Sequence, residues 1–236
     1  KFTYQSPITG KDFYILLVIL FAENPYARLV DCEIKNDMLL TEPELLTVRT
    51  PDINCILGDK LTAFAPHTTG IPLKMKKDME VMKQMYDVGT LLDEFTDFEL
   101  VYDTYLKVAA EELSYRGDNI TIEDAIMDTY RSAACIASRG VFSPDEYPLY
   151  VQGIRDLRGH IYAENYSPEI AVGRAAKLMY MAACLLKNQP YEKIKNPKEF
   201  SSERFLTGDM ACLKYLRKVN LEAYGYAIMA EHLMNS

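Results

Sequence analysis

From Pro51 onward, apolar residues return at helical spacing almost to the last residue, and this regularity limits most of the chain to helices packed on one another. Ile53, Ile56, Leu57, Leu61 and Phe64 recur at spacings of three, four, seven and eight, which places them on one face of a helix over 51–65. Pro51-Asp52 suits its start, and Pro66 its end. A loop over 67–72 then leads into a second helix, 76–94, with the stripe Val81, Met85, Val88 and Leu92, continued by Phe95. Further helices are predicted over 98–115, 122–138, 145–160, 168–187 and 210–234. Arg116-Gly-Asp-Asn119, Arg139-Gly140 and Asn188-Gln-Pro190 supply the turns between them. A helical bundle is the natural packing for the region 97–236.

The first fifty residues read differently. Phe13-Tyr-Ile-Leu-Leu-Val-Ile-Leu-Phe21 is a continuous apolar run ended by Glu23-Asn24-Pro25, the pattern of a strand buried on both faces. Shorter strands are expected over 29–35 and 45–49, set apart by the turn signals Asn36-Asp37 and Glu42-Pro43. The expectation is an α+β fold: a small mixed sheet within 1–96, covered by the 51–65 and 76–94 helices because their stripes need a common partner, and followed by the bundle.

Composition excludes several functions. A formal net charge of -8, from 34 acidic and 26 basic residues, gives no general attraction for a polyanion. Nucleic acid therefore requires a local basic patch, for which Arg155, Arg158, Arg174, Lys177, Lys214, Arg217 and Lys218 are the candidates. The five cysteines are odd in number and widely spaced, as expected of reduced thiols in a cytoplasmic protein. The most apolar stretches, 13–22 and 175–186, are too short to cross a bilayer, so no membrane partner is expected. His67, His160 and His232 show no metal-ligand spacing, and serine-hydrolase and P-loop signatures are absent. Because the chain begins at Lys1 and soon enters an apolar run, a preceding segment is expected.

Two charged residues stand out against this background. Lys60 lies four residues after Ile56 and four before Phe64, in or beside an apolar stripe. An ammonium there must snorkel to water, join a salt bridge or meet an anionic ligand such as a phosphate. Asp87 lies on the second helix, four residues after Lys83, with which an ordinary surface pair is the simplest role.

Ile56-Leu-Gly-Asp-Lys-Leu-Thr-Ala-Phe64, followed by Tyr86-Asp87-Val88, resembles two consecutive signatures of the AbiEii-type nucleotidyltransferases, the toxin half of certain bacterial toxin–antitoxin pairs. The order of elements is similar to the carboxy-terminal two thirds of that family. The resemblance implies transfer of a nucleotide from a nucleoside triphosphate to an RNA or protein acceptor, with magnesium as cofactor and a cognate antitoxin as partner. It assigns Lys60 to the phosphates, Asp59 beside it to nucleotide binding, and Asp87 to catalysis. The residue types suit these roles, since an ammonium stabilises phosphate oxygens and a carboxylate orients or deprotonates a hydroxyl. The chain departs from the family in lacking its Gly-Ser and Asp-x-Asp metal motif and in carrying no acid near Val18 of the long strand. Asp12 and Glu23, which flank that strand, are the remaining candidate metal ligands. Two alternatives stay open: a catalytically inactive interaction protein on the same fold, and a helical RNA-binding module.

Overall fold

The first long helix starts where a side chain can satisfy its free amides. The carboxylate of Asp52 accepts a bond of 2.9 Å from the backbone N–H of Asn54 and opens α1 (Ile53–Ala63). The structure, a computed structural model, describes residues 1–236 apart from 20, 22, 37–43, 117–118 and 205–207. Five further long helices follow: α2 (Asp78–Glu94), α3 (Phe98–Arg116), α4 (Ile122–Ala137), α5 (Tyr147–Arg158) and α6 (Pro168–Lys187). Thr121 and Asp124 close a reciprocal capping box at the start of α4, and Ser167 caps α6. Asn188, in the left-handed conformation at φ 47°, ends α6 by bonding its N–H back into the last turn.

The expected helix over 210–234 is three pieces: a 3-10 segment (Asp209–Tyr215), α7 (Leu216–Val219) and α8 (Leu221–Asn235). Asn220 causes the break. It leaves helical geometry at φ -155° and turns its side chain to cap the amide of Ala223, a role that competes with continuing the helix.

α6 is the axis of the bundle. Its alanines 171, 175, 176, 182 and 183 are all buried, and their small side chains let α4 and α8 approach from two sides while α2 lies along a third. α1 packs on α3, where Gly58 faces the backbone of Val101 and Tyr105 too closely for a Cβ. α2 packs on α5, where Gly153 sits directly beneath the carbonyl of Asp78. A single apolar core joins all of these helices and runs without interruption across residue 96.

The sheet differs from the expectation. Among the described residues the strands form two separate antiparallel hairpins, β1 (Phe2–Gln5) with β2 (Asp12–Ile15), and β3 (Leu29–Glu33) with β4 (Thr47–Pro51). The register pairs Phe2 with Ile15 in the first and Leu29 with Pro51 in the second. The long buried strand over 13–21 is not formed: β2 ends at Ile15, and Phe13 is 49% and Val18 85% exposed. Leu20 and the turn positions Asp37, Glu42, Pro43, Gly117 and Asp118 lie outside the described residues. The physical reason for the difference is that α1 and α2 spend their stripes on other helices. Leu57, Leu61 and Phe64, with Val81, Met85, Val88 and Leu92, enter the helical core and leave no face for a sheet.

Among the described residues all five cysteines are free thiols, and no helix is long and apolar enough to cross a membrane.

Candidate functional site

Lys60 stands in the last turn of α1, where the exposed carbonyl end of the helix favours a cation. Its ammonium projects toward α2 and donates to Asp87 Oδ2 at 3.1 Å and to Gln84 Oε1 at 3.4 Å. The same Asp87 oxygen accepts from Lys83 Nζ at 3.0 Å, one helical turn away. Two residues 27 positions apart are thus brought to one spot on the seam between α1 and α2. With side chains 35% and 26% exposed, Lys60 and Asp87 are neither buried outright nor fully solvated. An ammonium has three N–H groups, and two are used here.

Asp59 turns elsewhere. Successive helical residues point about 100° apart, and Asp59 Oδ2 accepts from the Tyr26 hydroxyl at 2.6 Å. Burial, then the Asp59 carboxylate, pushes the Tyr26 phenol well above its usual range, so it stays a donor. Nearby, Arg28 pairs with Asp97 at 3.1 Å and accepts at its carbonyl from Asp52 N, tying the chain ahead of the second hairpin to the starts of α1 and α3.

α2 is held in place from the other side by Arg174 of α6. Its guanidinium, 14% exposed, donates to the carbonyl of Tyr86 at 2.8 Å, to Thr90 Oγ1 at 2.6 Å and to Glu164 at 2.6 Å. It also lies over the Tyr86 ring at 4.2 Å. Lys177 bridges Asp93 at 2.7 Å and Glu222 at 3.3 Å. Two of the cations considered for a basic face therefore serve interhelix contacts that fix the register of α2, and with it Asp87.

The candidate metal ligands do not gather. Asp12 lies on β2 opposite Gln5, at the end of a hairpin that no helix covers, and Glu23 follows in the loop beyond it. Among the described residues no three His, Cys, Asp or Glu side chains are grouped so as to hold a metal ion. Among the described residues, Asp12 and Glu23 therefore belong to no grouped set that would hold magnesium.

A second polar cluster escaped the sequence reading. His67, in the turn after α1, has both ring nitrogens engaged, Nδ1 with Asp128 Oδ1 at 2.7 Å and Nε2 with Glu146 Oε1 at 2.8 Å. Asp128, 5% exposed, also accepts from the His67 amide, Thr68 and Ser132. The bond to Asp128 raises the imidazole to about 9; burial opposes this and the Glu146 bond adds to it. The cluster forms one wall of a cavity of about 560 Å³ that Met127, Phe142 and Met210 also line. Its partners lie 61 and 79 positions away in sequence, so no local spacing announces it.

The chain matches no family model, no curated protein and no solved structure.

Proposed function

We propose that this chain forms part of a nucleotidyltransferase of the toxin type, in which Lys60 meets the phosphates of a nucleoside triphosphate and Asp87 meets the acceptor hydroxyl. The observation that carries the reading is the 3.1 Å approach of Lys60 to Asp87, because the resemblance of the two motifs pairs these same residues. In the proposed cycle, the triphosphate draws the Lys60 ammonium onto its oxygens. One acceptor site on Asp87 Oδ2 is then free, while Lys83 still holds the carboxylate. An acceptor hydroxyl binds there, loses its proton toward Asp87 and attacks the α-phosphorus, and pyrophosphate leaves. The acceptor is RNA or protein, and an antitoxin is the proposed partner that restrains the activity. The hairpin arrangement lends no support to the sheet of such an enzyme, so the proposal rests on the α1–α2 seam.

The rival is an interaction protein without catalysis. Two observations favour it: the exposed apolar run that includes Leu16, Leu17, Val18 and Ile19, and the absence of a grouped metal-ligand set among the described residues. Incubating the full-length protein with each α-labelled nucleoside triphosphate and total RNA or protein separates the two. The enzyme reading expects label in one acceptor class and its loss in Asp87→Asn. No transfer by folded wild-type protein supports the interaction reading.

A further inference from the structure

The chain is acidic overall, yet four cations gather at its carboxy-terminal end. Lys214 of the 3-10 segment and Arg217 and Lys218 of α7 stand three and four residues apart, which puts them on one face. Arg204, from the segment before them, lies across the same concavity, a cavity of about 440 Å³ that these four residues line with Tyr224 of α8. All four cations are exposed, and among the described residues none forms an ion pair. Two largely covered cations of α6, by contrast, each have carboxylate partners: Arg174 pairs with Glu164, and Lys177 with Asp93 and Glu222.

The wall of the concavity is fixed. Tyr224 is 1% exposed and its hydroxyl donates to the carbonyl of Glu203 at 2.6 Å, which pins the residue before Arg204 to α8. Asn220, between α7 and α8, sets the angle at which Arg217 and Lys218 meet that wall. Like charges three and four residues apart destabilise a helix when nothing lies between them. Convergent cations on a fixed frame are relieved by a ligand carrying several negative charges at short spacing. A lone phosphate satisfies one or two of them. A chain of condensed phosphates brings several such charges in one ligand.

We propose that the concavity formed by Arg204, Lys214, Arg217 and Lys218 binds a polyphosphate chain, either free or as the tail of a nucleotide. It shares no residue with the Lys60–Asp87 seam, and the proposal does not depend on nucleotidyl transfer.

The test is calorimetric titration of the whole chain with sodium tripolyphosphate, inorganic phosphate, ATP and a short single-stranded RNA, at two salt concentrations. The variants are Arg217→Ala/Lys218→Ala and, as a control at an exposed lysine of α3 outside both sites, Lys107→Ala. Both altered carboxy-terminal positions are exposed, and far-ultraviolet circular dichroism checks that the fold is kept. Tripolyphosphate is expected to bind more tightly than phosphate, to weaken as salt rises, and to lose about tenfold or more in the double variant while Lys107→Ala binds as wild type. ATP binding that follows the same variants identifies the nucleotide tail as the source; tripolyphosphate binding without ATP binding identifies the free chain. Absence of tripolyphosphate binding, unchanged affinity in the double variant, or an equal loss in Lys107→Ala overturns the proposal. So does RNA binding tighter than tripolyphosphate and dependent on Arg217 and Lys218, which makes the concavity a nucleic-acid contact.

Discussion

Removing the imidazole that bridges α4 and the start of α5 has a pH-dependent cost whose sign follows from the geometry. In the folded chain His67 is raised from 6.5 to about 9, first by its bond to Asp128. A change of that size corresponds to roughly 3 kcal/mol if nothing screens it. The side chain is 46% exposed, so solvent reduces the contribution to about 1–2 kcal/mol. Because the folded value is the higher one, this stability is present in full below pH 6.5 and is lost as pH rises through about 9. In His67→Ala, Asp128 keeps the amide of residue 67, Thr68 and Ser132, so the carboxylate is not stranded. The variant should therefore lose about 1–2 kcal/mol near pH 6 and little near pH 10. Urea denaturation of both proteins across that range measures it, and the difference between them isolates His67 from other titrating groups. An imidazole resonance titrating near its ordinary value, or equal pH dependence in the two proteins, would refute the reasoning.

Two further changes probe the frame that positions the seam. Gly153→Ala puts a Cβ against the backbone carbonyl of Asp78, which cannot move independently of α2; a loss of about 2–3 kcal/mol is expected, and an unchanged melting temperature would show that α2 and α5 are less closely apposed. Asn54, 2% exposed, accepts at Oδ1 from the amides of Thr96 at 2.8 Å and Asp97 at 3.0 Å. Asn54→Ala should cost about 1–2 kcal/mol and increase hydrogen exchange at the start of α3, and unaltered exchange there would contradict it.

The helices were legible because their signals are local. The stripe from Ile53 to Phe64 and the turn signals Arg139-Gly140 and Asn188-Gln-Pro190 are each contained in a few residues, and the helix over 168–187 is found at Pro168–Lys187. The sheet was not legible, because an apolar run such as 13–21 reports only that its side chains avoid water in some context, not which partner covers them. The stripes of α1 and α2 were equally silent about their partners, and tertiary packing gave them to α3, α5 and α6. At the site, Lys60 drew notice by its place among apolar residues, whereas its partner in space needed a resemblance to be found. His67 and Arg204 had neither signal, since each acquires its neighbours only through folding.

The proposed function stands or falls on Lys60. Asp87 has a second lysine partner in Lys83, and both side chains of the Lys60–Asp87 pair are partly solvated, at 35% and 26% exposure. Lys60→Ala should then change stability by only about 0.5–1 kcal/mol, or roughly 1–4 °C in melting temperature. Nucleotide transfer by the full-length protein should fall by about a hundredfold or more, through lost stabilisation of the phosphate charge. Both quantities are measured on one purified preparation. Abolished transfer with a nearly unchanged melting temperature is the expected result. Transfer retained at the wild-type rate, with a loss of stability on the order of 3–5 kcal/mol, would make the pair a structural salt bridge and contradict the proposed function.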